Sequence, residues 1–148
     1  MKISDFLAPG AVMTDVAPAD KQQLLTELAR KAAARIDVPA DNLLSELVKR
    51  EELGSTGMGG GVAIPHARFY QVDKPFGMLA RLRRPIDFDA VDGEPVDLVF
   101  LLLLPATPAG GQLSALAQIA RKLRDPAIAA ALRSARDGAT IYQILAAN

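Results

Sequence analysis

Cysteine is absent from the 148-residue sequence. Disulfides, thiolate metal sites and thiol nucleophiles are therefore excluded. Histidine occurs once, as His66, so a histidine-based metal site lacks partners, and no metal or cofactor is expected. Net charge is also missing: 17 basic residues balance 17 acidic ones. No global charge draws such a chain to nucleic acid or to an anionic membrane. The densest basic stretch, Arg81–Arg84, stops at Pro85 and reads as a strand end rather than a nucleic-acid footprint. The longest apolar run, Leu98–Leu104, falls far short of the roughly 20 residues that span a bilayer. The N-terminus has an early acidic residue, Asp5, and no apolar run of signal-peptide length. These absences predict a cytoplasmic chain with no membrane insertion and no nucleic-acid partner. Repeats, linkers and low-complexity tracts are lacking as well, and the length fits one domain over residues 1–148.

What is present reads as globular: 50% hydrophobic and 23% charged residues. Ser4 is expected to cap a short helical turn carrying Phe6 and Leu7, ended by Pro9-Gly10. Ala11–Thr14 suggests a short edge strand. Asp20 is a plausible N-cap for a helix whose Leu24, Leu25, Leu28, Ala32 and Ile36 form one apolar stripe. Pro39–Asn42 opens a second helix with Leu43, Leu44, Leu47 and Val48 inward, Arg50 near its end and Gly54 at C′. Val62–Ile64 reads as a short buried strand, residues 67–75 as a loop, and Phe76–Leu82 as a strand. Asp92-Gly93 is a turn signal. The most apolar segment, Pro95–Leu104, predicts a central strand buried on both faces. Three helices follow, one with Leu113, Leu116, Ile119 and Leu123, one begun by Asp125-Pro126, and one after Asp137-Gly138. Helices, then strands, then helices argue for one sheet covered by helices, an α/β or α+β sandwich.

One stretch concentrates the chemistry. Residues 54–66 hold five of the eleven glycines and end on His66. The glycine spacing does not fit a dinucleotide fingerprint, and the order helix, glycines, strand is the reverse of what that fingerprint needs. No lysine stands in the loop for a nucleotide phosphate, and no Gly-x-Ser-x-Gly elbow exists for a serine hydrolase. Taken singly, a lone histidine after a strand is as readily structural as functional, and an arginine at a helix end is usually a solvated charge worth about 0–1 kcal/mol. Taken together the residues fit phosphoryl chemistry. A neutral imidazole, with its reference pKa near 6.5, can attack phosphorus. Arg50 can donate charge-assisted hydrogen bonds to the phosphoryl oxygens. Ser55 and Thr56 can add hydroxyls, and the glycines can bring backbone N–H groups close. With no nucleotide site, a partner protein has to bring the phosphoryl group.

Arg50-Glu51-Glu52-Leu53-Gly54-Ser55-Thr56-Gly57 followed by Gly61-Val62-Ala63-Ile64-Pro65-His66 resembles the active-site signature of the fructose/mannitol-type enzyme IIA domains. These belong to the bacterial phosphoenolpyruvate-dependent phosphotransferase system. The closest likeness in kind is the free-standing nitrogen-regulatory enzyme IIA. Pro85–Phe100 is similar to a second block of that family, and the helix from about Ala109 to Leu123 to a third. The resemblance implies a mixed parallel and antiparallel sheet flanked by helices on both sides. It implies a phosphotransferase component whose histidine, matching His66, accepts a phosphoryl group from HPr or its nitrogen-branch counterpart, with Arg50 as the active-site arginine. Transport-type members pass the group to an enzyme IIB, and regulatory members bind target proteins according to phosphorylation state.

One departure stands out. Many members place a second active-site histidine at the start of the third block, where this chain reads Gly110-Gly111-Gln112-Leu113-Ser114. Gln112 or Ser114 can hydrogen-bond a phosphate or the imidazole, and neither can carry a positive charge. The expected role is a regulatory phosphocarrier. Two other readings stay open: a sugar-specific enzyme IIA serving a separate enzyme IIB, and a binding module that no longer transfers phosphoryl groups.

Overall fold

In the computed structural model, the described residues are 1–107 and 112–147, and the side chains of 112–114 fall outside the description. Alternation and apolar runs set the strands: β1 (Leu7–Val16), β2 (Gly57–Gly59), β3 (Val62–Ala63), β4 (His66–Phe69), β5 (Phe76–Ile86) and β6 (Val96–Pro105). The helices are α1 (Lys21–Ala33), α2 (Ala40–Glu52), α3 (Gln112–Arg124), α4 (Pro126–Ser134) and α5 (Gly138–Ala146). Three helix starts are set by aspartate caps, of which Asp20 and Asp125 were expected. Asp20 accepts from the Gln23 N–H at 2.8 Å, Asp125 from Ala127 at 2.9 Å, and Asp137 from Thr140 at 2.8 Å. Each such cap is worth about 0.5–2 kcal/mol.

The strands form one sheet in the order β1-β5-β6-β3-β2, with β4 also on β6. β5 and β6 are antiparallel, while β1 runs parallel to β5, and β3 and β4 run parallel to β6. The sheet is therefore mixed. From Leu98 to Leu104 every residue of β6 is buried, so both of its faces are covered. α1 packs on α2, and α3, α4 and α5 pack in sequence, as the two helical layers. β3 and β4 occupy successive stretches of one edge of β6, Val62 opposite Leu98 and His66 opposite Leu102. The Leu102 N–H donates to the Pro65 carbonyl at 2.9 Å, bridging the gap between them. His66 is thereby pinned to the most buried strand of the protein.

Several expectations change. Ser4 lies inside a 3-10 turn, Ile3–Asp5, instead of capping it. The cap is Lys2, whose N–H donates to the Asp5 carboxylate at 2.7 Å. Leu7 then opens β1, which runs on through Pro9-Gly10 as an edge strand. The missing proline N–H is absorbed where the pairing register shifts between Leu7 and Val12. The segment expected as a loop begins as strand β4, because Ala67 and Phe69 alternate inward. β5 continues past Leu82 to Ile86, with a register shift after Arg81. Arg81 itself donates to the Leu132 carbonyl at 2.9 Å and to that of Ala135, closing the C-terminal end of α4.

Close approach at Gly77 locks the sheet to the N-terminal segment. The rings of Phe6 and Phe100 meet edge-to-face at 6.2 Å. A Cβ at Gly77 would stand 2.6 Å from Phe100 and 3.0 Å from the Phe6 carbonyl oxygen. Gly77→Ala is expected to destabilise the fold by about 1–3 kcal/mol through overpacking, measured as a lowered urea midpoint with an unchanged slope.

Candidate functional site

The site begins where α2 ends. Leu53 closes the helix and Gly54 follows with φ +153°. Arg50, in the last turn, donates from Nη1 to the Gly54 carbonyl at 2.8 Å. That bond satisfies a terminal carbonyl and leaves the rest of the guanidinium fork facing the cleft. Glu51, on the next position, turns inward. Its carboxylate accepts from the Thr56 N–H at 3.0 Å and from the Thr56 hydroxyl. It also pairs with Lys21 of α1 at 2.9 Å, with the two side chains only 7% and 19% exposed. Lys21 donates to the Phe88 carbonyl at 3.2 Å and stands 4.4 Å above the Phe88 ring. Ser55 donates to that same carbonyl at 2.9 Å and accepts from the Gly57 N–H at 3.0 Å. Both hydroxyl protons, of Ser55 and Thr56, are thus committed to protein acceptors.

Beyond Thr56 the glycines form the β2–β3 hairpin. Its tip is staked from two sides. The Gly60 N–H donates to Asp92 at 3.0 Å, and its carbonyl accepts from Arg133 of α4 at 2.7 Å. Arg133 in turn makes a forked pair with Asp97 at the start of β6. Such a tip holds position despite its glycine content. At the hairpin base the Ile64 N–H donates to the Thr56 carbonyl at 3.1 Å.

His66 opens β4, half-buried. Its Nδ1 lies 2.7 Å from the Ile64 carbonyl oxygen. A carbonyl can only accept, so Nδ1 carries the proton and Nε2 keeps the lone pair. Burial pushes the imidazole pKa below its ordinary value, and the Arg50 and Arg68 charges push the same way. The bond to Ile64 and the Glu51 carboxylate oppose them. The outcome is a neutral ring with one nucleophilic nitrogen.

A cleft of about 600 Å³ lies in front of the ring, between Arg50 and Leu53 of α2, His66 and Arg68 of β4, and Leu116 of α3. An adjoining recess shares Arg50, His66 and Leu116 and is walled by Ser55, Thr56 and Met58. The structure therefore brings Arg50, Ser55, Thr56 and His66 together. Gln112 and Ser114 fall in the first turn of α3, and their side chains lie outside the described residues. Two neighbours escaped the sequence reading. Glu51 was given no role of its own, although Thr56 five positions on was a usable partner. Arg68 sits two positions beyond His66, the spacing that puts two side chains on one strand face, once β4 is known to be a strand. Among the described residues no cluster of three His, Cys, Asp or Glu side chains is placed to hold a metal ion.

The sequence model of the family described as "Phosphoenolpyruvate-dependent sugar phosphotransferase system, EIIA 2" matches residues 5–148. The chain belongs to this EIIA family. It is 49% identical over 146 residues to a nitrogen regulatory protein of Bradyrhizobium diazoefficiens, covering 99% of this chain and 95% of that one. It is 38% identical over 146 residues to a nitrogen regulatory protein of Pseudomonas aeruginosa, covering 98% and 95%. The crystal structure of the nitrogen regulatory protein IIA-Ntr from Neisseria meningitidis superposes with a TM-score of 0.92 at 34% identity, covering 97% of this chain and 98% of that one. This EIIA chain thus has both the sheet and the helical layers of a IIA-Ntr structure, and phosphocarrier chemistry of the phosphotransferase type is the activity class of its family.

A single histidine makes the electrostatics directly measurable. In an NMR titration the imidazole midpoint is expected below 6.5, with Nδ1 showing as the protonated nitrogen at neutral pH. Folding then carries the corresponding sign: as pH falls through about 6.5 the unfolded chain takes up a proton that the folded site refuses, so stability declines in that window. A midpoint above 6.5 would contradict the assignment. Removing the buried carboxylate is expected to be more damaging. Glu51→Ala removes the nearer carboxylate from Lys21, leaving it Asp89 at 3.9 Å, and should lower unfolding free energy by about 2–4 kcal/mol, read from chemical denaturation.

Proposed function

We propose that this EIIA protein is a regulatory phosphocarrier that accepts a phosphoryl group on Nε2 of His66 from a phosphohistidine-bearing HPr, or from the nitrogen-branch equivalent of HPr. The observation that carries the reading is the 2.7 Å bond from Nδ1 to the Ile64 carbonyl, which leaves Nε2 as the free lone pair. The transfer balances without a cofactor. The N–P bond on the donor imidazole breaks as the Nε2–P bond forms, and the electron pair of the old bond returns to the donor ring. His66 keeps its Nδ1 proton, so the ring becomes cationic while it carries the phosphoryl dianion. The Ile64 carbonyl supports that cation, and Arg50 faces the phosphoryl oxygens. Charge stabilisation and positioning are what such a transfer asks of the protein.

A protein donor also fits the surroundings. Leu53 beside the cleft and Val91 beside the recess are 86% and 76% exposed. Apolar residues standing out around a polar centre suit a docking partner. The relatives named as nitrogen regulatory proteins support a regulatory role in a cytoplasmic phosphotransferase branch, exerted through binding of target proteins in one phosphorylation state.

Incubation with phosphoenolpyruvate, enzyme I and HPr, and in parallel with their nitrogen-branch counterparts, is expected to place acid-labile label on the wild type with at least one set and none on His66→Ala. Arg50→Ala should accept label about a hundredfold more slowly. Unlabelled wild type, or label that persists in His66→Ala, would overturn the proposal. Onward transfer to an enzyme IIB partner, tested in the same system, would mark a transport role instead.

A further inference from the structure

The chain has no second histidine to complete the charge of the proposed site. Arg124 of α3 lines the recess beside Arg50, but the arginine charges felt at the imidazole are those of Arg50 and Arg68. We propose that Arg68 is its second phosphoryl-binding cation, facing the transferred group from β4 while Arg50 faces it from α2. The inference rests on His66 as the phosphoryl acceptor and goes on to name a residue of that site.

Four observations carry it. First, β4 alternates: Ala67 and Phe69 are buried, while half-buried His66 and exposed Arg68 share the other face. Residues two apart on a strand lie about 6.5–7 Å apart, within reach of an extended arginine. Second, Arg50, His66 and Arg68 line the same cleft, and the Arg68 charge is felt at the imidazole. Third, Arg68 makes no hydrogen bond or ion pair among the described residues, so its guanidinium fork is free for a ligand. Fourth, an acid that lines the cleft with it, Glu46, is matched by Lys49 at 3.2 Å. An uncommitted arginine next to a nucleophile has an electrostatic cost to the site when the ring protonates, and it favours the dianion that the ring receives. Planar guanidinium groups bind such oxygens in a forked, charge-assisted manner.

The experiment uses two donors at pH 8, where the imidazole is neutral in every variant. One is phosphorylated HPr. The other is phosphoramidate, a small phosphoryl donor that needs no protein docking surface. Arg68→Ala is expected to slow labelling of His66 about tenfold with both donors, and Arg68→Lys to restore part of the rate. Arg68→Ala labelled at the wild-type rate by phosphoramidate would overturn the inference. So would a loss seen with HPr alone, which would make Arg68 a docking residue. If neither HPr nor its nitrogen-branch counterpart labels even the wild type, the phosphocarrier reading falls, while phosphoramidate still decides whether Arg68 faces the phosphoryl group.

Discussion

The buried carboxylate of Glu51 holds three parts of the protein at one point. It takes a cation from α1, stands in the last turn of α2, and receives both the N–H and the hydroxyl of Thr56, where the hairpin begins. From Thr56 the connection passes through one backbone hydrogen bond to Ile64, and through the Ile64 carbonyl to the imidazole. An ion pair of this kind adds little net stability compared with apolar packing, and its value is geometric. It fixes the height of the hairpin base relative to the helix that supplies Arg50. A misplaced Thr56 would move Ile64, and with it the acceptor that sets the tautomer of His66.

The imidazole sits between opposing influences, and their balance suits a nucleophile. Burial and two neighbouring arginines favour the uncharged ring. The same arginines that disfavour a proton on the ring favour a phosphoryl dianion beside it. In the proposed carrier the cations therefore serve both stages of transfer without moving. Glu51 moderates them from below, where its charge is shared with Lys21 and Thr56 and is kept out of the cleft.

Much of this was legible from the sequence because it depends on local chemistry. Asp20, Asp125 and Asp137 cap helices through bonds to residues two or three positions away, and β6 announces itself by a continuous apolar run. The glycine stretch, Arg50 and His66 could be singled out by residue type and spacing. What escaped depends on pairing between distant segments. β4 has four residues, too few for their alternation to stand out, and it is completed as a strand because β6 offers an edge next to β3. Without β4, the shared face of His66 and Arg68 cannot be seen. Glu51 escaped for a related reason, since its cation lies in a different helix. The hydroxyls of Ser55 and Thr56 suggested phosphate ligands by type, and the structure commits their protons to Phe88 and Glu51 instead.

The staked hairpin tip has a consequence for traffic through the site. Gly60 is held on one side by Asp92 and on the other by Arg133, which is itself forked onto Asp97. The tip of the hairpin that leads to the imidazole is therefore held from two sides, and one ring nitrogen is tied to the backbone. One atom of the ring, Nε2, is left free. In the proposed carrier, a molecule delivering a phosphoryl group and a molecule removing it would both have to reach that atom, so occupancy by one would exclude the other. In that carrier the order of visits would separate the receiving state from the sending state.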